Sequence, residues 1–142
     1  MPEPAATTPV AVASYYRVRW GRVDEFLELF RRNHWPILRE QIASGRFLDV
    51  RAARPRLHGD GAANWHLVVT ITHRDWAAAE AHSDDEIARR LFPDQDRYRA
   101  EERRRFELLD AHWDVILEDV PLEQEPEPRK RPLGFRSTRE SG

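Results

Sequence analysis

Apolar residues recur along this chain at every second position, then at every third or fourth, then at every second again. The order of those switches limits the fold more than any motif does. From Val10 to Trp20, Val12, Ser14, Tyr16 and Val18 fall on one face and Ala13, Tyr15, Arg17 and Arg19 on the other, a strand that Gly21 breaks. Val23, Phe26, Leu27, Phe30, His34, Ile37, Leu38 and Gln41 then follow at helical spacing. Asp24 opens this helix, Ser44-Gly45 stops it, and Pro36 predicts a kink inside it. Two strands come next. Phe47–Arg54 has Leu48, Val50 and Ala52 on one side, and Trp65–Thr72 alternates Trp65, Leu67, Val69 and Ile71 with His66, Val68, Thr70 and Thr72. The turn signal His58-Gly59-Asp60-Gly61 joins them as an antiparallel hairpin.

A short helix over Trp76–Ala81 starts from Asp75, and Ser83-Asp84-Asp85-Glu86 has the spacing of a capping box before a helix reaching Leu91 or Phe92. Pro93 opens a further helix through Tyr98, Glu102, Arg105, Phe106 and Leu109. Trp113, Val115 and Leu117, alternating with His112, Asp114 and Ile116, form a last strand that ends before Pro121. The order strand, helix, strand, strand, helices, strand is that of an α+β, ferredoxin-like βαββαβ sandwich, a four-stranded antiparallel sheet with helices on one face. The other face keeps Tyr15, Phe47 and one side of the third strand, so an identical subunit is its expected cover.

Size and charge narrow the function classes. The 142 residues suffice for one core, with 1–9 a loose leader, 10–121 the folded domain and 122–142 a charged tail unable to pack. There is no cysteine, hence no disulfide, thiolate ligand or thiol nucleophile. A net charge of −2 argues against nucleic acid as a partner. No apolar run reaches membrane-spanning length and Met1-Pro2-Glu3-Pro4 lacks a basic leader, so the expectation is a cytoplasmic protein with no membrane partner. The run Arg103-Arg104-Arg105 after Glu101-Glu102 reads as a solvated helix face on which Glu101 reaches Arg105.

The topology, with Ser14-Tyr15-Tyr16-Arg17-Val18, Asn33-His34-Trp35-Pro36 and Asp75-Trp76-Ala77-Ala78-Ala79, resembles the dimeric α+β-barrel superfamily over residues 10–121. That group includes antibiotic-biosynthesis monooxygenases, EthD-like and NIPSNAP-like proteins and haem-degrading enzymes. The resemblance implies a homodimer with sheets packed face to face, a pocket between sheet and helices in each subunit, and in many members oxidation or rearrangement without metal or prosthetic group. The haem-degrading branch places an Asn on its first strand, where this chain has Ser14 and Tyr16, so no haem-site residue carries over. The Asn-His-Trp-Pro run resembles uncharacterised members.

The candidate site residues follow from which side chains face inward. His34, on an apolar stripe, reads as a general acid or base near neutral pH, or as a core histidine bonded to a carbonyl or to Tyr16. Tyr16 orients His34 or donates to a developing oxyanion, or simply packs with one bonded hydroxyl. Phe30, Leu67, Val69 and Trp113 form the wall for a hydrophobic or aromatic ligand, and His82 lies where it can close over it. Trp35 falls off the inner stripe, which favours Trp113. His112 and Asp114 share a strand face, but no third ligand is evident, so neither metal nor cofactor is called for. The reading that results is a small-molecule enzyme catalysing an oxidation, isomerisation or cyclisation. Its alternatives are a non-catalytic binding or sensing protein and a structural dimerisation module.

Overall fold

The structure, a computed structural model, describes residues 8–56, 64–81 and 83–123. It contains β1 (Val10–Val18), α1 (Val23–Leu29), α2 (Trp35–Ala43), β2 (Phe47–Ala53), β3 (Leu67–His73), α3 (Trp76–Ala81), α4 (Asp85–Leu91), α5 (Gln95–Glu107) and β4 (Leu109–Leu117). The strands form one sheet in the order β2-β3-β1-β4, and every neighbouring pair is antiparallel. This is the ferredoxin-like sandwich that the periodicity predicts. The expected leader up to residue 7, the hairpin turn at 58–61, His82 and the tail beyond 123 lie outside the described residues.

Register fixes which side chains face the helices. Tyr16 sits opposite Leu67 on β3 and His112 on β4, and Ser14 opposite Val69 and Asp114. Tyr16, Val18, Leu67 and Val69 are buried with Phe26, Phe30, Leu38, Phe47 and Leu108 in one core. The other face carries Tyr15, stacked on Trp113 at 5.5 Å and met edge-on by Trp65 at 5.2 Å. Here Trp113, Val115 and Leu117 remain 36–44% exposed, an apolar strip with no helix above it.

Two backbone devices set the helical layer. Between α1 and α2, residues Phe30–His34 form a π-helical turn, in which the Trp35 N–H donates to the Phe30 carbonyl five residues back. Pro36 stands at the head of α2 and has no N–H for the Arg32 carbonyl, so the helix widens where a kink is expected. The helix then ends in a Schellman motif: Arg46 N–H bonds the Gln41 carbonyl at 3.1 Å and Gly45 N–H the Ile42 carbonyl at 3.0 Å, with Gly45 at φ 80°.

Several sequence expectations are corrected. A bulge between Phe47 and Asp49 shifts the pairing of β2 with β3, which turns Phe47 into the core at 2% exposure and Leu48 outward at 49%. Phe47 thus belongs to the helix-covered face and meets His73 edge-on at 5.0 Å. Leu109 begins β4 instead of ending α5. The capping box does not form: Ser83 Oγ accepts from Asp85 N–H at 3.4 Å, and Asp84 precedes α4 without a side-chain cap. Asp94 does cap α5, accepting from Arg97 N–H at 3.1 Å.

Candidate functional site

The helical layer and the sheet part to leave an apolar groove of about 490 Å³. Leu27, Phe30, Trp35 and Leu38 form its helical wall, and Val50, Ala52, Leu67 and Val69 its sheet wall; Ala53, Arg31 and Arg54 complete the lining. The π-helical turn explains this set. In an unbroken α-helix, residues seven apart come nearly into phase, which would align His34 with Leu27. One extra residue in the turn makes the in-phase spacing eight, so Trp35 aligns with Leu27 and Leu38 with Phe30. Trp35, which the periodicity places off the inner stripe, lines the groove; His34 does not.

His34 lies on the far side of Phe30, its ring edge-on to that phenyl at 5.0 Å. Burial lowers its pKa to about 4 by disfavouring the imidazolium, and the Arg105 guanidinium and His112 push the same way against Asp84. The ring is therefore neutral at pH 7. Asn33, beside it, is the fully inward residue at 2% exposure and donates through Nδ2 to Glu101 Oε2 at 2.7 Å. Those bonds, with Arg97 and Arg32, hold the Glu101 carboxyl below the usual range.

A polar cluster continues from His34 toward β4. Tyr16 packs against Phe26 and Phe30, with ring centroids 5.3 and 6.2 Å away, and stacks on His112 at 4.3 Å. Burial raises its pKa, an effect that the Arg105 guanidinium opposes and Asp114 and Glu102 reinforce. His112 Nδ1 must carry its hydrogen, because it bonds the Tyr15 carbonyl at 2.8 Å, while Nε2 stands 3.8 Å from Asp114. Ser14 Oγ donates to Asp114 Oδ1 at 2.7 Å. His66 has the opposite tautomer: its Nδ1 accepts from Val18 N–H at 2.9 Å.

Arg105 is a further residue that sequence reasoning placed wrongly. It is 2% exposed, not solvated, and its partner is Glu102 through two bonds of 3.0 and 2.8 Å, while Glu101 serves Arg97, Arg32 and Asn33. Its guanidinium lies 4.6 Å from the Phe106 ring and 5.7 Å from that of Phe30, and among the described residues Nη1 makes no hydrogen bond. A signal existed in its position on the stripe Tyr98, Glu102, Arg105, Phe106. A protonated phenol, a neutral imidazole and a buried guanidinium with a spare donor form an arrangement suited to holding negative charge on oxygen.

The structure thus divides the sequence-predicted residues. Phe30, Leu67 and Val69 share the groove, and Tyr16 and His34 share the polar cluster behind Phe30. Trp113 belongs to neither: it pairs in register with Tyr15, so it projects from the opposite sheet face and forms no wall with Leu67 and Val69. Among the described residues no group of three His, Asp or Glu side chains is placed to hold a metal ion, and no helix is long and apolar enough to cross a membrane.

No protein-family model matches the sequence, and no curated protein matches it either. Solved structures do match. A NIPSNAP domain protein from Burkholderia xenovorans is 18% identical and superimposes over 82% of this chain and 99% of its own, with a TM-score of 0.52. An ethyl tert-butyl ether D (EthD) family protein from Bacillus halodurans is 13% identical over 79% and 99%, with a TM-score of 0.54. A dimeric ferredoxin-like protein from an uncultured marine organism is 6% identical over 84% and 94%, with a TM-score of 0.52. The chain shares the ferredoxin-like fold of these proteins.

Proposed function

We propose that this protein binds a hydrophobic or aromatic small molecule in the groove between helices and sheet, and acts on it as a homodimer. The observation that carries this is the groove itself. Its volume of about 490 Å³ falls in the range of small-molecule sites, and nine of the eleven described residues that line it are apolar. The exposed strip of Trp113, Val115 and Leu117 supports a second copy covering the bare sheet face, as does the dimeric state named for the marine-organism protein of the same fold. The chemistry that fits is an oxidation, isomerisation or cyclisation in which negative charge develops on a substrate oxygen. Tyr16 would donate to that oxygen and His34, neutral at pH 7, would accept or relay a proton.

A second reading, a carrier or sensor without chemistry, is favoured by Phe30, which stands between the groove and His34. One experiment addresses both. Ala52→Trp fills the groove from an exposed position on β2, so it spares the core. A panel of hydrophobic and aromatic metabolites is screened by thermal shift against the wild-type protein and this variant. A true ligand present at one hundred times its Kd stabilises the wild type by about 2.7 kcal/mol and leaves Ala52→Trp unmoved; equal shifts in both proteins refute the groove as the site. Turnover of that ligand, lost in His34→Asn with binding retained, identifies the enzyme. Binding without turnover identifies the carrier.

A further inference from the structure

The apolar groove differs from three other surface hollows in the sign of its charge. Those three are lined by equal numbers of acidic and basic residues: Arg32 and Arg97 with Asp94 and Glu101, Arg89 and Arg99 with Asp84 and Asp85, and Arg46 and Arg90 with Glu40 and Glu86. Among the described residues the groove has Arg31 and Arg54 and no carboxylate. This is not the overflow of a basic surface, because the chain carries a net charge of −2. Among the described residues neither of the two arginines makes an ion pair or a side-chain hydrogen bond. Arg32, the very next residue, is tied to Glu28 at 2.6 Å and to Glu101 at 3.1 Å. The π-helical turn therefore parts two consecutive arginines, one into a carboxylate network and one onto the groove.

We propose that the groove takes a hydrophobic anion, a free molecule with an apolar body and one carboxylate, phosphate or sulfonate head, and that Arg31 and Arg54 hold the head. This rests on the groove being the binding site and adds the chemical class of what enters it. Guanidinium forks match such oxyanions in geometry as well as charge. The apolar walls lower the local dielectric and strengthen the attraction above what two exposed arginines would give in open water. Phe30, Trp35, Leu67 and Val69 would receive the body while the head stays beside the guanidinium groups, so the ligand is oriented as well as bound.

Two fluorescent probes with the same aromatic body test this: 8-anilinonaphthalene-1-sulfonate, which carries the charge, and N-phenyl-1-naphthylamine, which does not. The full-length protein is expected to bind the sulfonate at least about tenfold more tightly. Arg31→Gln combined with Arg54→Gln should erase that preference and leave the neutral probe within about twofold, while the paired lysine variants should recover part of it. Raising ionic strength from about 50 to about 500 mM should weaken the sulfonate alone. Equal affinities for the two probes in the wild type, or a preference that survives the double glutamine variant, overturn the proposed head site and leave the groove standing. If neither probe responds to Ala52→Trp, the groove itself fails. Co-sedimentation with phosphatidylglycerol vesicles without preference for the soluble sulfonate would assign the arginines to a membrane surface and overturn the proposal.

Discussion

His34 gives the sharpest quantitative test of the site, because its burial ties a proton to the stability of the whole domain. In the unfolded chain the imidazole titrates near 6.5, and in the folded chain near 4. Above pH 6.5 both states hold the ring neutral, so it contributes no pH dependence. Between pH 6.5 and 4 the unfolded chain takes up a proton that the folded chain refuses, so stability falls as the pH falls, and the loss levels off below 4. The full loss is about 3 kcal/mol, of which about 2 kcal/mol is reached at pH 5. The perturbation is His34→Gln, which keeps a polar side chain of similar reach and removes the titration. Urea unfolding followed by tryptophan fluorescence at pH 7.5 and pH 5 gives four free energies. Acidification should cost the wild type about 2 kcal/mol more than the variant, or about 1.3 M in urea midpoint at a slope of about 1.5 kcal/mol per M. Carboxylates held low by partners, such as Glu101, lose stability in the same direction but equally in both proteins, so they cancel. An identical acid response in the two proteins, or an NMR titration of the His34 ring centred near 6.5, would show that the imidazole faces water and refute the buried cluster.

Three further outcomes are expected. Gly45→Ala should cost about 1 kcal/mol in urea unfolding and Gly45→Asn less, since φ is 80° there and no atom crowds the added carbon; no change would mean that the helix ends differently. Tyr98 stacks on Phe92 at 4.7 Å, and burial, with Glu102 second, pushes its phenol up to about 12, so Tyr98→Phe should abolish the most alkaline step in a phenolate absorbance titration; loss of a step near pH 10 instead would contradict that packing. Trp113→Glu should convert the proposed dimer to a monomer in analytical ultracentrifugation with the circular dichroism unchanged, and an unaltered sedimentation coefficient would refute a subunit contact on this face.

The order of elements and the antiparallel pairing were legible because a period of two and a period of 3.6 are hard to confuse over strands of seven to nine residues and the long helical stretch from Val23 to Ala43. What escaped the pattern was everything that changes count without changing composition. The bulge at Leu48 puts one extra residue into β2, which exchanges Phe47 and Leu48 between faces, and nothing in Phe-Leu-Asp-Val announces it. The π-helical turn does the same to the first helix: steps of three and four accommodate His34 on the stripe as easily as Asn33 or Trp35, so the apolar spacing cannot decide which ring meets the groove. Arg105 was hidden by its neighbours. A triplet of arginines reads as solvent-facing, yet Arg103 is exposed, Arg104 pairs with Glu25, and Arg105 turns inward under the two phenylalanine rings. Tyr16, Leu67 and Val69 were found because strand alternation and register leave them no other face, and Phe30 because its helical stripe with Phe26 and Leu27 precedes the extra residue of the widened turn.

The widened turn also makes the first helix tolerant of a change in its own length. Deleting Arg32 or Asn33 would let the segment close as regular α-helix, with Leu27 and Trp35 then seven apart and still aligned, whereas the same deletion inside α2 would swing everything beyond it by about 100°. Shortened and full-length descendants could therefore keep the same tryptophan over the same opening. Where a lineage sheds a residue from its helices, this is the place where the loss leaves the binding surface intact.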